Sequence, residues 1–376
     1  MIGDTKRFLV AVSILVGTCI GAGVLGIPYI AARSGFFITL GYILLLGLII
    51  LVVNLYIGEI ALRTKGDHQL IGYARKYLGK RWKHVMEFAV VFGSYAALIA
   101  YMLGMGESLS FLIFGNTFNS LWLGILIGLI MALLIGGGIK LLKRFEKWGV
   151  LIILCLLVAI FIVFVNKIEI ANLFIFNPMN VFLPFGVVLF ALMSFHAIPE
   201  VKVVLKRKEK LFKKVMLTAT LTSIIFYILF TLVVVGFKGH ATPEVATLAL
   251  GAVFVFLGLF TMFTSYLAGG NALIDNFLFD ERWSKPWAWF FASIIPIMIF
   301  VLTQLTNFFS FITILSIGGV VSGGMLAVMV LFMIKKAKRH GNRKTEYSVP
   351  AKWWIIILLS LIFVFGVVRE IVLVFR

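Results

Sequence analysis

Charge of one sign is what this sequence lacks most. Its 376 residues hold 15 Asp and Glu against 34 Lys and Arg, and charged residues make up only 13% of the chain. The acids fall singly and mostly near the ends of apolar runs, so they do not supply the clustered carboxylates, metal set or nucleophile–base pair that a membrane enzyme needs. Asp275, Asp280 and Glu281 come nearest to a cluster, but Arg282 and Lys285 share their segment, and a solvated charged turn accounts for them all. Cys19 and Cys155, the two cysteines, both lie in apolar runs and offer neither a disulfide framework nor a zinc site. The five histidines are scattered without the H-x-x-x-H ligand spacing, and no cofactor is expected. A phosphate loop of the G-x-x-x-x-G-K type is missing as well, which excludes ATP-driven pumping by this chain alone. The net charge of +19 would suit nucleic acid if it formed a basic face. The Lys and Arg sit instead in short clusters between apolar runs, so nucleic acid is not an expected partner.

What the chain has in excess is apolar surface. Hydrophobic residues make up 62% and mean hydropathy is +1.11, against roughly 45–50% apolar in a soluble domain. That surplus must face lipid. A run of about 20 apolar residues crosses the hydrocarbon core as a helix, and the rule gives eleven spans: 8–32, 36–62, 85–114, 121–139, 147–166, 180–200, 212–237, 244–270, 287–303, 306–334 and 353–375. Membrane β-strands would alternate apolar and polar residues, which these do not. Lys6 and Arg7 before the first run could imitate a secretory leader, but the apolar run continues past residue 30 without a small-residue cleavage pattern. It is read as the first span. With the N-terminus in the cytoplasm, 29 of the 34 Lys and Arg fall on the cytoplasmic side, and five (Arg33, Lys167, Lys238, Arg369, Arg376) fall outside. That asymmetry orients a multi-pass protein of the cytoplasmic membrane with its C-terminus outside. The longest hydrophilic stretch, 335–350, is expected to be a solvated basic anchor beside anionic lipid.

Two spans are not plainly apolar. The first packs Gly17, Gly21, Gly23, Gly26 and Pro28 into mid-membrane, and the sixth places Ser194-Phe195-His196-Ala197-Ile198-Pro199-Glu200 where helix should continue. Glycine weakens a helix, and proline removes a donor and clashes with the preceding turn. In lipid the freed backbone groups must be satisfied by packed protein or a cavity. Spans 1 and 6 correspond if the single domain, 1–376, holds two five-span units, 8–166 and 180–334, plus an eleventh span, 353–375. An odd number of spans per unit inverts the second. Matched Gly/Pro-interrupted segments point to a solute site at the repeat interface, with half-helix N-termini aimed at an anionic group. Taken alone, the glycines would equally serve close helix packing, and Pro199 a simple kink.

The segment Gly17-Thr18-Cys19-Ile20-Gly21-Ala22-Gly23-Val24-Leu25-Gly26-Ile27-Pro28 resembles the first span of the hydroxy- and aromatic-amino-acid permeases. These belong to the amino-acid/auxin permease group of the amino acid–polyamine–organocation superfamily. Ala100-Tyr101-Met102-Leu103-Gly104-Met105-Gly106-Glu107-Ser108 resembles the family's A-Y-x-x-G-x-G-x-S stretch, and Ser194-Phe195-His196-Ala197-Ile198-Pro199 a shortened form of its S-F-x-F-H-x-x-I-P segment. The resemblance implies an all-α polytopic membrane protein of leucine-transporter type, with a 5+5 inverted repeat and broken spans 1 and 6. It implies a neutral amino acid, aromatic or hydroxy, as substrate, held by backbone groups of Ile20, Gly21, Ala22, Gly23 and Val24, with Tyr101, Phe195 and His196 around it. It further implies a sodium site of Gly17 and Ile20 carbonyls with Thr261, Thr264 and Ser265 of span 8. Oxygen donors suit that hard cation, although Ser and Thr hydroxyls also bond within their own helix. A proton is the rival coupling ion, with His196 the deep candidate, because Glu59, Glu107 and Glu200 lie near span ends. A permease-fold receptor that binds without moving its ligand uses the same broken helices, and a membrane enzyme is the more remote alternative.

Overall fold

The computed structural model describes residues 2–66, 68–136, 155, 157–306 and 308–374, and among these no strand occurs. In lipid a backbone without water must pair its own N–H and C=O groups, and long apolar runs do so as helices. Helices α1 (Ile2–Cys19) and α2 (Ala22–Ser34) form one span bent by 50°. The second span is α3 (Phe36–Leu62) and the third α5 (Lys80–Phe114). Between them lies α4 (Leu70–Leu78), a short helix that buries Leu70, Ile71, Tyr73, Ala74 and Tyr77 and turns Arg75 and Lys76 outward. Spans four and five are α6 (Ser120–Gly136) and α7 (Leu157–Lys167). The sixth is broken into α8 (Pro184–Leu192) and α9 (Ile198–Val204). Then come α10 (Phe212–Lys238), α11 (Ala252–Asp275) and α12 (Lys285–Thr306). The tenth span joins α13 (Phe311–Ile317) to α14 (Gly324–His340) through a π-helical segment, Gly318–Gly323, and α15 (Trp353–Val374) is the eleventh.

Among the described residues eight helical stretches, α8 with α9 and α13 with α14 each counted as one, are long and apolar enough to cross a bilayer, the bent α1–α2 pair makes a ninth, and α6 and Leu157–Lys167 are shorter apolar helices. They fall in the order of the eleven expected spans. Positions 137–139, 147–154, 156, 307 and 375 of those spans lie outside the described residues, as do Arg376 and the basic residues of 140–147. The eighth span is displaced. Residues expected in it from 244 form a 3-10 turn, Ala246–Ala249, and helix begins only after Gly251 at φ +94. Hydropathy counts apolar residues whatever their backbone does. Here the Glu244 side chain turns away to accept from the Ile312 N–H (3.1 Å) at the start of α13.

The basic loop after span 10 departs further from expectation. Its first residues, to His340, continue α14, and the remainder is not free but folds on the end of span 2. Glu59, wholly buried, accepts from Val349 N (2.7 Å), Ser348 Oγ (3.0 Å) and Arg63 Nε (2.8 Å), with Lys338 Nζ at 3.0 Å. Tyr56 donates to the Pro350 carbonyl and Tyr347 to that of Leu55. A buried carboxylate must be paired, and counting loop charges cannot show that the loop supplies the partners. The charged turn after span 8 is likewise organised. Asp275 ends α11, and Glu281 is paired with Lys83 of α5.

Packing places the broken spans at the centre. α1 lies on α10, α2 on α8 and α10, and α5 against α11, α6 and α13.

Candidate functional site

The break in span 1 is short. α1 ends at Cys19, and Gly21 takes an open conformation (φ −130, ψ −139) before α2 starts without a side-chain cap. Gly21 thus offers no side chain to the first N–H groups of α2, the Tyr101 hydroxyl is set against that of Ala22, and the positive end of the helix dipole faces the break. A Cβ on Gly21 would stand 2.6 Å from the Tyr101 hydroxyl and 3.3 Å from Ser265 Oγ, so spans 3 and 8 reach the break at that residue. Gly23 and Gly26 do a different job inside α2. A Cβ on Gly23 would meet the Ala191 Cα at 2.6 Å, and one on Gly26 would meet Ile312 and Leu315 at 2.9 Å. Pro28 lies within α2 and breaks nothing.

The break in span 6 is longer. α8 ends at Leu192, Met193 is extended, and Phe195–Ala197 form a 3-10 turn before α9. Pro199 occupies the opening turn of α9, where its missing N–H costs nothing. The kink reading of that proline gives way to a break already made at Met193 and Ser194. Asn54 of span 2, itself buried, donates to Ser194 Oγ (3.1 Å) and ties the break to the bundle.

One hydroxyl serves both breaks. Tyr227 of α10, fully buried, lies 2.8 Å from the Cys19 carbonyl oxygen and 2.6 Å from that of Ala191, and shares its single proton between them. Sequence reasoning missed this residue, since a lone tyrosine in an apolar run carries no signal of which carbonyls it will face.

A cavity of about 540 Å³ opens between the two breaks and span 8. Its wall includes Gly17, Gly21, Gly23, Tyr101, His196, Thr264 and Ser265. It extends past Met193 and Asn271 to Gln69, Glu200, Asp275 and Asn276, toward the end of the bundle that carries most of the basic loops. Not every expected contact lies on this wall. Phe195 is wholly buried away from it, and Ile20, Ala22 and Val24 are buried behind it, so at those three positions only backbone could serve a ligand. Thr261 is also off the wall, donating to the Gly258 carbonyl at 2.8 Å, while Thr264 donates to that of Thr261 at 3.0 Å. Those hydroxyls spend their protons inside the helix and keep lone pairs for another partner. Among the described residues no cluster of three or more His, Cys, Asp or Glu could hold a metal ion.

No curated protein matches the chain in sequence. The solved structure of MhsT in complex with L-phenylalanine superposes with a TM-score of 0.66 at 15% identity, covering 97% of this chain and 98% of that one. That likeness shows the fold, the leucine-transporter type. The profile of the tryptophan/tyrosine permease family matches residues 4–242, which include both broken spans, Tyr101 and Tyr227. The chain therefore belongs to the tryptophan/tyrosine permease family, a membrane transporter and not an enzyme.

Proposed function

We propose that this protein is a cation-coupled carrier of a neutral amino acid, aromatic or hydroxy, working by alternating access across the cytoplasmic membrane. One observation carries the reading: a single cavity is walled by both helix breaks, with the N-terminus of α2 at one side and Tyr101 and His196 at the others. The α2 N-terminus suits a carboxylate. Carbonyls at the end of α1 suit an ammonium, and the mainly apolar remainder of the wall suits a neutral side chain. Family membership and the phenylalanine held by MhsT favour an aromatic substrate.

In this reading 8–166 and 180–334 are inverted repeats, and the basic loops face the cytoplasm. The open end of the cavity then faces inward. On the far side of the breaks α2 rests directly on α8 at Gly23 and Ala191, which is the contact that outward opening would part. Sodium coupling would use the Gly17 and Ile20 carbonyls with Thr261, Thr264 and Ser265. Proton coupling would use His196, because the wall's carboxylates, Glu200 and Asp275, lie toward the open end.

Amino-acid accumulation in proteoliposomes, with sodium and proton gradients imposed separately, tests the proposal. Accumulation above equilibrium under one gradient names the ion, and loss of proton-driven accumulation in His196→Asn with an unchanged substrate Kd would assign the proton to His196. Binding of amino acids without accumulation under either gradient would replace the carrier by a receptor.

A further inference from the structure

A second cleft, of about 500 Å³, lies outside the broken-helix site, at the end of the bundle that carries most of the basic loops. His68, Ile71, Gly72, Arg75 and Lys76 line it from α4 and the segment before it, Lys83 from α5, and Arg282 from the turn after α11. Two stretches far apart in sequence, 68–83 and the turn at Arg282, thus bring four permanent cations to one concavity. Lys83 is taken up by Glu281. Among the described residues no carboxylate pairs with Arg75, Lys76 or Arg282, and the partners of Lys76 are neutral, the Asn342 Oδ1 at 3.2 Å and the Tyr77 ring, 5.5 Å to its centroid. Like charges held together are unfavourable, and an anion seated among Arg75, Lys76 and Arg282 would relieve the repulsion.

The backbone adds an independent sign. Arg282 sits at φ +57, one of two non-glycine residues with positive φ among the described residues. A non-glycine residue there costs on the order of 1 kcal/mol or more, and such strain persists only where the surroundings hold it. Here the surroundings are aromatic: Trp283 stacks on Phe277 at 4.7 Å and packs edge-on to Phe291 at 5.0 Å, which fixes the turn that carries Arg282 to the cleft.

Depth in the membrane follows from the neighbours. Trp82, Trp283 and Trp287 are 50%, 37% and 61% exposed, and they flank the cleft in sequence beside Lys83 and Arg282. Exposed tryptophans next to Lys and Arg mark the headgroup layer. We propose that this cleft binds the phosphate group of an anionic lipid, seated between Arg75, Lys76 and Arg282. Ile71 lines both this cleft and the central cavity, so the lipid would brace α4 against the end of α11 at the cavity's mouth. The site does not depend on the transport reading, because its test measures binding.

The test uses the full-length protein in neutral detergent with phosphatidylglycerol, phosphatidylcholine or inorganic phosphate, read by native mass spectrometry and thermal shift. Phosphatidylglycerol should be retained and should raise the Tm, and phosphatidylcholine should do neither. Each cation removed, as in Arg75→Gln, Lys76→Gln and Arg282→Gln, should weaken retention roughly fivefold. Arg282→Lys should keep most of it, which separates lost charge from a disturbed turn. The control Lys336→Gln/Arg339→Gln/Lys344→Gln removes as much charge as the three cleft substitutions together, at exposed positions outside the cleft, and should leave retention unchanged. Equal retention by the cleft variants, or equal loss in the control, would overturn the site. Stabilisation by inorganic phosphate alone, lost in the cleft variants, would overturn the lipid assignment in favour of a free anion.

Discussion

The two broken spans interrupt the helix by different means. In span 1 the interruption is backbone alone: one glycine in an open conformation, with tyrosine and serine from other spans closing on the space its side chain would fill. In span 6 it is made of side chains, with Ser194 tied to Asn54 and His196 on a 3-10 turn at the cavity wall. A glycine break lets neighbours approach the main chain, and a polar break presents functional groups of its own. The carbonyl stubs of the two meet at Tyr227, so neither break is an independent defect.

Substitutions can part these roles. The largest effect should come from Gly23→Val, whose Cβ meets the Ala191 main chain at 2.6 Å, an atom that cannot rotate away. Overpacking of this kind costs about 1–3 kcal/mol. Because it separates the two broken spans, substrate binding read by thermal shift should vanish while membrane insertion persists. Normal uptake by this variant would show that the α2–α8 contact is not needed. Tyr227→Phe should come next. It leaves two buried carbonyls short of a donor, at about 1–3 kcal/mol, and should weaken substrate binding roughly tenfold; an unchanged Kd would make the two breaks independent.

Gly21→Ala is expected to be milder, because its Cβ meets the far end of the Tyr101 side chain at 2.6 Å rather than main chain. A double-mutant cycle with Tyr101→Phe should recover part of the loss, and strict additivity would deny the contact. Smallest of all should be Asn54→Ala, which deletes one hydrogen bond worth about 1 kcal/mol and also removes a buried Oδ1 that has no partner. A few degrees in Tm would register it.

Much of this was legible beforehand because membrane constraints are written locally. A run of apolar residues must be helix, and a mid-membrane Gly or Pro cluster must be compensated, so eleven spans and two breaks could be placed by inspection. Gly21, Gly23, Tyr101 and His196 were expected and do line one cavity. Phe195 was expected with them and points elsewhere, since hydropathy does not give a side chain's direction at a break. The tenth span's π-helical segment at Gly318–Gly323 left no trace beyond its glycines, and the loop 335–350 looked like a solvated anchor because Glu59 is far away in sequence.

The sequence by itself determined membrane residence, the number and order of the spans and the two points where helix fails. Each of these follows from the free energy of a short segment in lipid. Only the tertiary structure decided which groups meet. Tyr227 lies 208 and 36 residues from its two carbonyls, Val349 lies 290 from Glu59, and Arg282 of the second cleft joins cations from 75–83. Such pairings depend on how helices pack, and no local pattern encodes them.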